Sequence, residues 1–336
     1  MRGSEKSRPC PRAELCHAVR VKLVTLLTRP VRSLAVTLAA ALVVLPAAQA
    51  QQDHPVKPLL WKIEGPDLRK PSYLFGTIHV GKGPAATLHP AAEKAFDEAT
   101  AVHTEAPFDA ATQAGAVQLV LRDDGKQLGD SIGEKLSKRL EEELKLINPQ
   151  LNSLPFQPLK TWYVAIMLPA LPFQLEGGKP LDMDLWERAE KGGKKTAGMQ
   201  TTAEQLAGFR DFNEGEQVIL LQETLRLLKK DRDEGKDSTK DLVDAYISGD
   251  VEKIEAECDK SIKATSEGGY KELGERLIKR LLTDRDLIMA DYIDGTLEKS
   301  PGEIHFFAAG AAHYTGKNGV RAHLAKKGYS ISRVDG

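Results

Sequence analysis

Two histidines occupy matching settings near opposite ends of this 336-residue chain, Gly76-Thr77-Ile78-His79 and Gly310-Ala311-Ala312-His313. Each Gly-x-x-His follows an apolar run, residues 73–75 in the first case and 304–309 in the second. Glycine before the histidine permits a positive φ or a close backbone approach. An imidazole placed there can ligate a metal or move a proton. A third run, Val102-His103-Thr104, ends on Glu105 just before Pro107. Two imidazoles and one carboxylate leave coordination positions open, as a catalytic divalent-metal site requires. Such an ion activates water for hydrolysis. A second arrangement leaves His79 and His313 on the metal and makes Glu105 the general base; both stay open at this stage. A single Gly-x-x-His is a weak pattern, and the reading rests on two of them, each after an apolar run.

Those residues meet only if their runs are neighbouring strands. Five short stretches read as strands: residues 73–75, 101–105, 195–199, 304–309 and 330–334, each bounded by Gly, Pro or charge. Helical spacing fills the intervals, as in Ala92, Ala95, Phe96 and Ala99 over residues 89–99. The pattern predicts an α/β fold: a central mixed β-sheet flanked by helices, with a large helical insertion over about residues 110–300. Helices are expected over 131–146, 203–230 and 160–168, with a solvated turn at 234–240. In open α/β sheets the carboxyl ends of the strands line the ligand crevice, which is where both loops and Glu105 fall. The remaining histidines read as structural: His54 in the tail, His89 entering a helix before Pro90, His103 and His305 pointing to the other sheet face, and His323 solvated.

Residues 1–50 read as a secretory signal. A basic stretch with eight Lys/Arg and two acids precedes the apolar run 34–45, and Ala48-Gln49-Ala50 closes it. The apolar run is shorter than the ~20 residues a bilayer span needs, which disfavours an anchor. The expected mature chain, residues 51–336, reads as a single domain, periplasmic or secreted, with no membrane span. Of the 47 Lys/Arg and 48 Asp/Glu, 39 and 46 lie beyond residue 50, a net charge near −7. A mildly acidic domain has no electrostatic footprint for nucleic acid and no basic face for anionic lipid. Cys10 and Cys16 lie in the signal, so Cys258 stands alone. A Cys-based metal site and an internal disulfide are thereby excluded, and Cys258 has no nearby base to activate it.

Residues 59–63 (Leu-Leu-Trp-Lys-Ile) and 73–81 (Tyr-Leu-Phe-Gly-Thr-Ile-His-Val-Gly) resemble the opening of the TraB/PrgY/GumN family. Residues 310–320 and the run from Lys327 to Ile331 resemble its closing motif. Leu181-Asp182, Gly198-Met199-Gln200-Thr201, Glu204-Gln205-Leu206 and Asp284-Arg285-Asp286 resemble its middle elements. The family is related to the Tiki metalloproteases and more distantly to erythromycin esterases and ChaN haem-binding proteins. The resemblance implies His79, His313 and Glu105 as metal ligands or catalytic groups. It adds Arg285, which could meet a substrate carboxylate or a tetrahedral oxyanion. Gln200 stands where the family usually has Glu, and Asp286 where it usually has Asn, next to Arg285.

The leading expectation is an exported metal-dependent hydrolase, a peptidase or amidase, using a divalent ion such as Mn, Co, Zn or Fe and acting on a peptide or small molecule. One competing expectation is a metal-independent, esterase-like hydrolase working through Glu105 and a histidine. The other is a non-catalytic protein that binds haem or a peptide in a pocket walled by Trp162, Tyr163, Met167 and Phe173.

Overall fold

Six short segments of four to six residues pair into one sheet: β1 Leu60–Glu64, β2 Ser72–Thr77, β3 Ala101–Thr104, β4 Lys195–Gly198, β5 His305–Gly310 and β6 Ser330–Arg333. The computed structural model describes residues 53–79, 82–266 and 270–336. The expected signal segment, and Val80-Gly81 after the first histidine, lie outside the described residues. The strand order is β4-β3-β5-β2-β1-β6. Strands β4, β3, β5 and β2 run parallel, whereas β1 is antiparallel to both β2 and β6. The sheet is therefore mixed and the fold is α/β. Strand β1 was not among the five expected strands. Its Leu60 faces one apolar layer and its Trp61 and Ile63 the other, so burial on both faces hides the period-2 alternation that would mark it.

Strand β5 explains how the ends of the chain meet. The chain passes from β2 through the helix Pro90–Glu98 to β3, leaving a gap that β5 fills from far down the sequence. Phe306 and Ala308 point to one face, with Phe75, Phe96 and Val102. Phe307 and Ala309 point to the other, with Met289, Ile293 and Tyr314. Phe306 and Phe307 are both fully buried, and burying each such side chain stabilises by roughly 1.5–3 kcal/mol.

Helices cover both faces of the sheet. Pro90–Glu98 and Leu181–Lys191 contribute to one layer, and Asp284–Lys299 and Val320–Lys326 to the other. The other helices between β3 and β5 fall into two blocks on either side of β4, and Leu128–Ile147, Thr161–Met167 and Glu214–Asp233 share a third apolar core. The helix expected over 203–230 is in fact two, Thr202–Arg210 and Glu214–Asp233. Asn213 breaks it: its side chain accepts from the Glu216 N–H while Glu216 accepts from the Asn213 N–H, a reciprocal cap that starts a new helix. Among the described residues no helix is long and apolar enough to cross a membrane.

Candidate active site

The carboxyl ends of β2, β3, β4 and β5 share one edge of the sheet, and the chain leaves each of them on a polar residue. His79 follows β2, Glu105 follows β3, Gln200 follows β4 and His313 follows β5. Neither motif glycine adopts a positive φ; both serve close approach instead. A Cβ on Gly76 would lie 3.2 Å from the Ala311 backbone and from Leu59. A Cβ on Gly310 would lie 3.1 Å from Glu105 Oε1 and 3.6 Å from His79 Nε2. The second loop can therefore press against the site only because it starts with glycine. The short helix Ala311–Thr315 then turns His313 inward, leaving it 4% exposed.

Glu105 sits at the centre, 2% exposed. Its Oε2 accepts from the Arg285 guanidinium and, at 3.2 Å, from the Gln205 amide. Its Oε1 accepts from the Gly310 N–H at 2.6 Å. That same Oε1 lies 3.9 Å from His79 Nε2 and 3.9 Å from His313 Nε2. Burial alone would raise the carboxyl's pKa. Arg285, then both histidines and the Gly310 N–H, outweigh burial and hold it far below the usual carboxylate range.

Each histidine has its own carboxylate. His79 Nδ1 pairs with Asp182 Oδ2 at 3.0 Å, and Thr77 donates to Asp182 Oδ1 at 2.7 Å. His313 Nδ1 pairs with Asp286 Oδ1 at 2.7 Å. Both pairings turn Nε2 toward Glu105. The His79 ring is packed among protein groups on one side but opens to the cleft on the other, its side chain 62% exposed. Enclosure lowers its pKa, yet the Asp182 carboxylate beside it and Glu105 prevail, raising it to about 9.

His79, Glu105, His313 and Arg285 thus come together. Arg285 donates through Nη2 to Glu105 and through Nε to Gln200 Oε1 at 3.0 Å, while its Nη1 makes only a 3.5 Å contact to the Leu281 carbonyl. It braces the carboxylate from the cleft lining. Asp286, adjacent in sequence, holds His313. The residues that sequence reasoning missed as functional are Asp182 and Asp286, and only their places in family-like segments could have flagged them. His103 and His305 lie against Phe307, bonded to each other at 3.0 Å, and His103 alone also bonds Tyr292 at 3.0 Å. His89 accepts from the Ala91 N–H at its helix entry. His323 is not solvated: it is half-buried and its Nε2 is buried without a partner.

The donor set suits a divalent ion. Three acidic side chains, Glu105, Asp182 and Asp286, face one guanidinium, so by formal charge the cluster is two positive charges short when both imidazoles are neutral. Two imidazolium protons or one divalent cation would make up that deficit. Both Nε2 atoms point at one carboxylate oxygen, and both rings carry the carboxylate partner usual for metal-bound histidine. The spacing is wider than a closed cage. Among the described residues no group of three His, Cys, Asp or Glu is drawn into metal-binding spacing. Two ligands on one ion at ~2.1 Å each lie at most ~4.2 Å apart, and each Nε2–Oε1 separation, 3.9 Å, falls just inside that limit.

The cluster forms the floor of a cleft of about 600 Å³, within the usual range for ligand sites. A wider hollow of about 970 Å³ beside Tyr270 and Arg276 is lined by surface Lys and Glu and holds none of these residues. The cleft walls also differ from the expectation. Trp162 is fully buried behind them, and Ile166, Ala170, Leu206 and Phe209 face the cavity.

The TraB/PrgY/gumN family model matches residues 59–333, and the chain belongs to that family. Among curated proteins it is 25% identical over 316 residues to Metalloprotease TIKI2 of Danio rerio, covering 82% of this chain and 60% of that protein. It is 26% identical over 322 residues to Metalloprotease TIKI1 of Homo sapiens, covering 84% and 63% respectively. The chain thus spans about 60% of the length of the curated relatives it matches. No solved structure matches it.

Proposed function

We propose that the chain is an exported, metal-dependent hydrolase of peptide or amide bonds, centred on His79, His313 and Glu105. The observation that carries the reading is the convergence of two carboxylate-backed imidazoles on one buried glutamate oxygen. The relatives named metalloproteases support the reaction class, and the basic–apolar–small pattern of residues 1–50 supports export. Nε2 of His79, Nε2 of His313 and Oε1 of Glu105 would hold a divalent ion, which would supply Lewis acidity and a water of lowered pKa. The protein's own part is alignment. Asp182 and Asp286 fix each imidazole through Nδ1, so the Nε2 lone pair faces the cleft floor. Arg285 and Gln205 restrain Oε2, which steers Oε1 inward. The two roles left open for Glu105 are now unequal. A general base works best with a pKa near the operating pH, and this carboxylate is held far below it, which favours the ligand role.

A second reading is favoured by one observation, the His79–Asp182 pair with its Nε2 open to the cleft. That dyad could act as a metal-free acid–base pair, as in an esterase-like hydrolase. One experiment separates the two. Protein produced without a His-tag is analysed for Mn, Co, Zn and Fe, then assayed on quenched-fluorescent peptides with and without EDTA. The metal reading expects about one ion per chain, lost in His79→Ala and His313→Ala, with hydrolysis abolished by EDTA. EDTA-insensitive hydrolysis by metal-free protein would sink it and leave the dyad.

A further inference from the structure

Every charged side chain lining the cleft lies on its floor and is already paired. Glu105 is bound by Arg285, and His79 by Asp182, while His313 is held by Asp286. Above that floor the described lining is apolar or uncharged, with Phe108, Ile166, Leu206, Phe209, Ile254 and Leu282 among its large apolar members. No Lys, and no Arg, Asp or Glu beyond the floor residues, is among the described residues of the lining. The walls are also braced. Phe209 stacks on fully buried Trp162 at 6.0 Å and 9°. Phe108 meets Trp186 edge-on at 6.3 Å.

We infer that this cleft takes a peptide segment carrying a large apolar side chain next to the bond presented to His79, Glu105 and His313, and that it rejects charged side chains there. The inference rests on the hydrolase reading above. The physical ground is desolvation. A charged side chain entering the cavity would lose its water and meet only apolar walls or groups that already have partners. A leucine or phenylalanine would bury apolar surface against walls that need no rearrangement to receive it. The floor charges already answer one another, Glu105 with Arg285 and each imidazole with its own carboxylate, so a charged side chain must compete with those pairings.

The test uses the full-length protein, loaded with Co²⁺. A set of quenched-fluorescent peptides differs at one scanned position, with Leu, Phe, Asp or Lys. The expected result is a kcat/KM at least about tenfold higher for Leu or Phe than for Asp or Lys at one position beside the cleaved bond. Leu206→Gln and Leu282→Gln should each shrink that ratio, mainly through KM, with metal content unchanged. Two variants on separate helices guard against one that folds poorly. Equal cleavage of all four peptides, or a preference for charge, overturns the inference while leaving the hydrolase reading intact. If no peptide is cut, the hydrolase reading fails and binding decides the inference. Fluorescence polarisation of the same peptides, labelled, should then show the apolar pair binding about tenfold more tightly, and equal binding rejects the cleft's selectivity outright.

Discussion

The two histidines and Glu105 were legible because each stands just past an apolar strand, a local pattern. Their carboxylate partners were not. Asp182 lies 103 residues from His79 and Asp286 lies 27 from His313, so no local spacing links them. Arg285 was placed at the site by resemblance, but its role depends on a contact 180 residues away with Glu105. These partners define two predictions. Asp182→Asn and Asp286→Asn retain size but remove the carboxylate charge behind each Nδ1–H, so under the proposed reading each should weaken metal affinity about 10- to 100-fold. Competition with a fluorescent chelator measures it, and unchanged affinity in both variants would remove the orienting role. Gly310→Ala should be more severe for function than for folding. Its Cβ would sit 3.1 Å from Glu105 Oε1, the proposed ligand oxygen, and within 4 Å of both rings. Metal content and hydrolysis should fall while the circular dichroism spectrum stays that of wild type.

At the level of elements, the strands that carry the site were readable and the strand that closes the sheet was not. Strands β2, β3, β4 and β5 end in glycine, charge or small residues, which mark their limits in sequence. Strand β1 is sandwiched between β2 and β6, and being buried on both faces it lacks an alternating signature. The division of residues 203–230 into two helices turned on a single cap. Glu214 and Glu216 look like any helix start or helix interior until Asn213 is seen accepting from the Glu216 N–H at 3.0 Å. That cap also places Phe209 and Leu206 on a separate short helix, which faces them into the cleft. Asn213→Ala should therefore cost about 1 kcal/mol, read as a lower urea midpoint with an unchanged slope. A neutral result would mean that packing of Leu221 and Leu225, both buried in the third core, fixes the start of this helix without the cap.

Across the whole molecule, two histidines, His79 at the cleft and buried His103, pull stability in opposite directions with pH. His79 has its pKa raised to about 9 by Asp182, from an ordinary value of 6.5. Its charged pairing with Asp182 is fully present below about pH 6.5 and is lost as pH climbs toward 9. Because the ring faces the cleft water, that loss is screened to about 1 kcal/mol or less. His103 behaves in the reverse sense. Burial, then the neighbouring His305, lowers its pKa to about 3. Between pH 6.5 and 3 the unfolded chain binds a proton that the folded chain refuses, so stability falls as the solution is acidified, by up to about 1.4 kcal/mol per pH unit. The metal-free protein should therefore be most stable near pH 6.5, with a steep acid limb and a shallow alkaline one. Under the proposed reading, metal changes only one of these. A ligand imidazole must be deprotonated, so binding at pH 7 releases the His79 proton, and affinity should rise from pH 6.5 to 9 and then level off. Cobalt in excess should therefore lift the alkaline limb and leave the acid limb between about pH 6.5 and 4.5, where His103 dominates, in place. Thermal melts from pH 4 to 10, with EDTA and then with Co²⁺, read both limbs at once. An ion that raised the melting temperature equally at every pH would bind without displacing a proton, which would place it somewhere other than His79.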